Sequence, residues 1–99
     1  MGNYRLVTVN GAPLPYQTSS GYVVRGTLNI GANVQYSIRE TDSSATGLST
    51  FSSDGRWSII AQQVTFMDNN SAVYVGTMTP QLDSIAIQIG GHISVYAHD

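Results

Sequence analysis

Few residues in this chain have the type and spacing to do chemistry, and Glu40 is the first of them. It is the only glutamate, and it shares strand parity with Val34, Tyr36 and Ile38 at the end of a β-branched, apolar segment. A polar stretch at 42–47 follows it, so the carboxyl is expected to face the mouth of whatever the strands enclose. At an apolar rim, desolvation would raise its pKa. It would then work as a general acid or base, or orient a ligand's polar group. As a solvated rim charge it would instead pair with an arginine. His92 and His98 are the only imidazoles. Six residues of strand span about 20 Å, which rules out a metal shared between them. Their parity is opposite to that of Ile93 and Val95, so both are expected to face outward. A lone His can ligate haem, but nothing else here builds a haem pocket.

Other chemistries lack their residues. No serine sits in a Gly-x-Ser-x-Gly elbow, and there is no phosphate-cradling loop, dinucleotide fingerprint or His-Glu-x-x-His. Asp68-Asn69-Asn70 lacks the oxygen ladder and closing Glu of a calcium loop and reads as a turn. Asn69-Asn70-Ser71 also matches a glycosylation sequon, a pattern that arises often by chance. No cofactor is implied. With no cysteine, the fold must stand without disulfides, thiolate metal sites or thiol catalysis.

The elements that would position Glu40 are short and β-branched. Residues 4–9, 22–30, 34–41, 48–52, 56–61, 64–67, 72–79, 85–89 and 92–98 alternate or run apolar without a helical stripe. Turn formers separate them: Asn10-Gly11, Gly31-Ala32-Asn33, Asp54-Gly55, Asp68-Asn69-Asn70, Pro80-Gln81 and Gly90-Gly91. Connections this tight join only antiparallel neighbours. Phe51, Trp57 and Ile59 keep one parity across Asp54-Gly55, which favours one long bulged strand there and eight strands in all. The competing reading, a hairpin at Asp54-Gly55, rests on that dipeptide being a strong hairpin signal and would make nine. The longer connections, 11–21 and 42–47, are expected to be mouth loops.

A single domain over residues 1–99 suits 10.6 kDa and 41% apolar content. The expected fold is all-β, an eight-stranded antiparallel up-and-down barrel, because a flat sheet without Lys would leave two unprotected edges. A net charge of -2, with four Arg and no Lys, offers no surface for phosphate backbones, so nucleic acid is not an expected partner. No apolar run approaches the roughly 20 residues of a membrane-spanning helix. Met1-Gly2 leads directly into strand-like sequence; an exported domain whose leader has been removed would look the same, so the compartment stays open.

Several stretches resemble the small bacterial lipocalin-like, or calycin-like, barrels: Tyr4-Arg-Leu-Val-Thr-Val-Asn-Gly-Ala-Pro-Leu-Pro15, Arg25-Gly-Thr-Leu-Asn-Ile30, Gly55-Arg-Trp-Ser-Ile59 before Val64-Thr-Phe66, and Tyr74-Val-Gly-Thr77. The chain is shorter than true lipocalins and lacks their C-terminal helix and cysteines. The resemblance implies a barrel and ligand binding without naming the ligand.

The expected inward set comprises Tyr22, Val24, Gly26, Leu28, Ile30, Val34, Tyr36, Ile38, Phe51, Trp57, Ile59, Val64, Phe66, Tyr74, Gly76, Met78, Ile85, Ile87, Ile89, Ile93 and Val95. Within it Tyr36, Trp57, Phe66, Tyr74 and Met78, with Glu40 at the rim, are the candidate ligand-binding residues. Gly26 and Gly76 would leave room for a guest or relieve curvature. The leading expectation is a module that binds a small apolar or aromatic molecule in the interior or mouth. The alternatives are a cyclase or isomerase acting on a flexible apolar substrate, and a structural or partner-binding domain with a filled core. Outward Val7, Val9, Val23, Val73, Val75 and Tyr96 would expose an apolar wall, for which a homodimer is the natural cover.

Overall fold

The computed structural model describes residues 2–18, 21–31, 33–81, 83–89 and 91–98. Ten strands follow one another: β1 (Gly2–Val9), β2 (Ala12–Pro13), β3 (Tyr16–Thr18), β4 (Gly21–Ile30), β5 (Gln35–Ser44), β6 (Gly47–Ile60), β7 (Gln63–Asp68), β8 (Val73–Met78), β9 (Ser84–Ile89) and β10 (His92–His98). Among the described residues there is no helix, so none is long and apolar enough to cross a membrane.

From β4 to β10 each strand pairs antiparallel with the next; β10 then pairs with β1, and β1 with β4 through Gly2↔Ile30 to Arg5↔Thr27. The ring therefore closes over eight strands, the expected barrel. β2 and β3 stand outside it. They occupy the wedge where β1 and β4 diverge, β2 pairing with the end of β1 and β3 with the start of β4. The connection at 11–21 is thus partly strand rather than an open mouth loop, and Leu14 and Tyr16 from it pack against the core. Likewise 42–47 is mostly paired: β5 and β6 continue as a ladder to Ser44↔Gly47.

Asp54-Gly55 lies inside β6, in continuous register with β5, so the hairpin alternative does not hold. Here glycine serves close approach rather than reversal. A Cβ on Gly55 would lie 1.9 Å from the Met67 carbonyl oxygen of β7, which no side chain tolerates.

The core runs along the inner faces, with Ile38, Val64, Phe66, Ile85, Ile87 and Tyr96 fully buried. Parity shifts occur where strands bulge. One bulge between Val23 and Arg25 turns Val23 inward and leaves Tyr22 exposed and Val24 only half-buried; another between Leu6 and Thr8 brings both Leu6 and Val9 inside. Val34 sits in the β4–β5 turn with a φ of 54° and is exposed rather than inward. In β10 the expected parity is reversed: Ser94 and Tyr96 are buried, Ile93 is exposed and Val95 is half-buried. Of the six residues expected to form an apolar outer wall, Val9, Val23 and Tyr96 are therefore core.

Candidate functional site

Alternating strand direction puts the last residues of β1, β5, β7 and β9 at one end of the barrel, here the upper end. Gly2, His98 and the last residues of β4, β6 and β8 lie at the lower end. Glu40 projects from the middle of β5 into the interior and is 3% exposed. From the opposite wall β10 aims three polar side chains at it. Residues i, i+2 and i+4 of a strand share a face, and here they are His92, Ser94 and Tyr96. The Ser94 and Tyr96 hydroxyls each donate to Glu40 Oε2 at 3.3 Å, and His92 Nε2 lies 3.1 Å from Oε1.

These distances rank the contacts. Hydroxyl donors usually sit 2.5–3.0 Å from an acceptor, so the two hydroxyls hold Glu40 loosely and His92 holds it best. The His92 side chain is 22% exposed against 4% for Glu40, so the imidazole is the member of the pair that meets solvent. Burial, and then the neighbouring Glu40 charge, push the Tyr96 phenol well above its ordinary value; it keeps its proton and remains a donor. Gly26 makes space for it. A Cβ there would stand 3.2 Å from the Tyr96 hydroxyl and 3.0 Å from Leu6 Cβ. The space at Gly76 is similarly taken by Ile85 and Ile87. Both glycines thus leave room for the barrel's own side chains rather than for a guest.

The other expected site residues group into an aromatic wall. Phe66 of β7 is the direct cross-strand partner of both Trp57 and Tyr74, and its ring meets the Tyr36 ring edge-on at 4.9 Å. Tyr36, Trp57, Phe66 and Tyr74 are thereby brought together. Phe51, expected inside but not at the site, joins them to Glu40. It stands opposite Glu40 across the β5–β6 ladder and contacts Tyr74 edge-on at 5.8 Å. Met78 lies apart, fully buried opposite Ile85. Tyr36 and Phe66 are fully buried, whereas Phe51, Trp57 and Tyr74 are half-buried. Trp57 belongs to the lower end, where its Nε1 donates to the Gly31 carbonyl.

A second polar chain runs through the wall. The Ser53 hydroxyl donates to Asp68 Oδ2 at 2.6 Å, so Tyr36, 2.7 Å from the same Ser53 oxygen, must donate to it. Asp68 Oδ1 also accepts from the Asn70 backbone N–H at 2.7 Å, as an aspartate does in a turn. The Ser53 and Asn70 bonds hold the Asp68 carboxyl below the ordinary carboxylate value. The stretch 68–70 is the turn it was read as.

Two polar clefts lie elsewhere. One of about 540 Å³ is lined by Asn29, Gln35, Tyr36, Ser37, Asp54 and Arg56; another of about 410 Å³ lies beside the β5–β6 turn and includes Asp42. Among the described residues Asp42 Oδ1 is buried without a hydrogen-bond partner, and no group of three or more His, Asp or Glu is placed to hold a metal ion.

The reading of the residues missed His92, Ser94 and Tyr96. Ile93 and Val95 carry the greater apolarity in β10, and that led to the wrong face. A partial signal was present nonetheless, because a lone inward glutamate requires facing donors and one parity of β10, His92, Ser94 and Tyr96, offers three of them. His98 stays exposed, as expected, with its ring 4.9 Å from that of Tyr4. Comparison with known proteins found no matching family model, no matching curated protein and no matching solved structure.

Proposed function

We propose that this barrel is a binding module for a small apolar or aromatic molecule carrying a hydrogen-bonding group, taken at the upper mouth rather than deep in the lumen. The observation that carries this reading is the contiguous line Tyr74, Phe51, Glu40 and His92. It sets half-buried aromatic edges beside a buried carboxylate whose imidazole partner meets solvent. The aromatic pair supplies contact area, and the loosely held carboxylate and imidazole supply orientation. Tyr36, Phe66 and Met78 form the packed floor beneath, and Trp57 belongs to the far end. The resemblance to small bacterial lipocalin-like barrels, in which ligand binding is the expected role, agrees with this reading and is part of the proposal.

The test is titration with N-phenylnaphthylamine, a neutral aromatic fluorophore with one N–H donor. Saturable enhancement is expected, weakened at least tenfold by either Phe51→Ala or Tyr74→Ala. Absence of saturation, or full retention in both variants, overturns the assignment to the mouth. The 3.1 Å contact between Glu40 and His92 favours one second reading, an acid–base couple in a cyclase or isomerase. Glu40→Gln separates the two. A binding module keeps most of its affinity in that variant, whereas an acid–base enzyme loses turnover.

A further inference from the structure

Closure of the ring leaves one long stretch of strand edge open. β6 spans fourteen residues and changes its pairing along its length: residues 47–56 pair with β5, but β7 joins only from Gly55 onward. Backbone hydrogen bonds fix which groups face the gap. Asp54 accepts from Asn69 N on the β7 side, whereas Trp57 donates to Val34 O on the β5 side. Successive residues of a strand direct their N–H and C=O groups to alternate sides, and the β5–β6 register runs unbroken through this stretch. Leu48, Thr50 and Ser52 therefore present their N–H and C=O groups to the gap. Among the described residues, no backbone bond reaches them there.

All three residues are exposed, Leu48 to 65%. Nothing blunts this edge in the usual way. From Gly47 to Ser53 there is no Lys, no Pro and no charge of any kind.

We propose that two copies of this chain pair antiparallel through this edge, about a two-fold axis at Thr50. Such pairing is self-complementary, because Leu48 meets Ser52 of the second copy, Thr50 meets Thr50, and all three outward residues on each strand find outward partners. The length of the edge suits it. The open stretch ends at the Gly47 tip on one side and at the bond between Asn69 and Asp54 on the other. The two-fold axis brings each tip to the other copy's β7–β8 turn. The absence of charge means that a second copy meets no like-charge repulsion, and each barrel body lies beyond the other's tip. The apolar outer wall expected from the sequence would be an alternative dimer surface, but it has lost half of its residues to the core.

Sedimentation equilibrium should return twice the 10.6 kDa chain mass. Thr50→Pro removes an N–H that faces the gap and none that bonds β5, and is expected to give single chains; Thr50→Lys, which places two charges on the axis, should do the same. In the cysteine-free chain Thr50→Cys should cross-link spontaneously under oxidation, since hydrogen-bonded antiparallel partners lie about 5.5 Å apart between Cα atoms, within disulfide range. Ser58→Cys, on the β7-paired part of β6, should not. A wild-type chain that stays single at every concentration overturns the proposal. So does a dimer indifferent to both Thr50→Pro and Thr50→Lys, or a Thr50→Cys chain that cross-links no faster than Ser58→Cys. Circular dichroism identifies any variant that has lost its fold, and the remaining variants then decide.

Discussion

The barrel satisfies two carboxylates in opposite ways. Asp68 is held locally and tightly, by a serine hydroxyl at 2.6 Å and a turn N–H at 2.7 Å. Glu40 is held from across the barrel by side chains alone, at 3.1 to 3.3 Å. Backbone donors are fixed by the turn and cost little further ordering, so Asp68 belongs to the fold. Side-chain donors on a distant strand depend on the whole ring being closed and can exchange partners, so Glu40 is where an incoming group can compete. The difference lies less in residue type than in which donors surround each carboxyl.

Removing the centre of each cluster should break this contrast most sharply. Glu40→Leu strands His92, Ser94 and a fully buried Tyr96 hydroxyl without an acceptor, and should lower stability by about 3 kcal/mol in urea unfolding. Asp68→Ala should cost less, because it strands one buried donor, the Ser53 hydroxyl, while Asn70 is exposed and water replaces the acceptor lost to its N–H. Equal losses, or a greater loss for Asp68→Ala, would mean that the cross-barrel cluster contributes no more to the fold than the turn.

Much of the architecture was legible in the residues, and what failed did so for identifiable physical reasons. Turn formers mark five of the ring's connections, those after β1, β4, β7, β8 and β9, and the shared parity of Phe51, Trp57 and Ile59 marks β6 as one strand. Bulges cannot be read from alternation alone. One extra residue at Val24 and another at Val7 reverse the faces of their neighbours, so alternation places Val23 and Val9 outside although both are core. The site was half legible. Glu40 and the Tyr36, Trp57, Phe66 and Tyr74 wall follow from inward parity, but apolarity points to the wrong face of β10, whose buried face is the one that hydrogen-bonds Glu40. In a strand whose two faces are both partly apolar, the need to satisfy a buried carboxylate decides between them.

A smaller effect sharpens the contrast at Gly26. Adding a methyl there brings it to 3.2 Å from the Tyr96 hydroxyl, so Gly26→Ala must displace Tyr96 or Leu6. A loss of about 1 kcal/mol is expected from this overpacking. Gly91→Ala, whose methyl meets nothing within 4 Å, serves as the neutral comparison. Identical unfolding midpoints for the two variants would show that the Tyr96 hydroxyl does not need the space.

The smallest effect depends on pH and tests whether Asp68 acts through its charge. Asp68, through Ser53 and Asn70, and Asp54, through Arg39, both have carboxyl pKa values below the ordinary 3.8. A lowered value in the folded state means that the unfolded chain takes up its proton first as pH falls. The stabilisation is therefore present above about 3.8 and is lost as pH drops through the lowered folded values. The Arg39 pair is half exposed, with bonds of 3.0 and 3.1 Å, and solvent screening leaves it little of this effect. Asp68 should therefore dominate the difference. Asp68→Asn cannot titrate, so the gap between its melting temperature and that of the wild type should narrow on acidification below 3.8. A gap of constant width down to strong acid would show that Asp68 contributes through shape rather than charge.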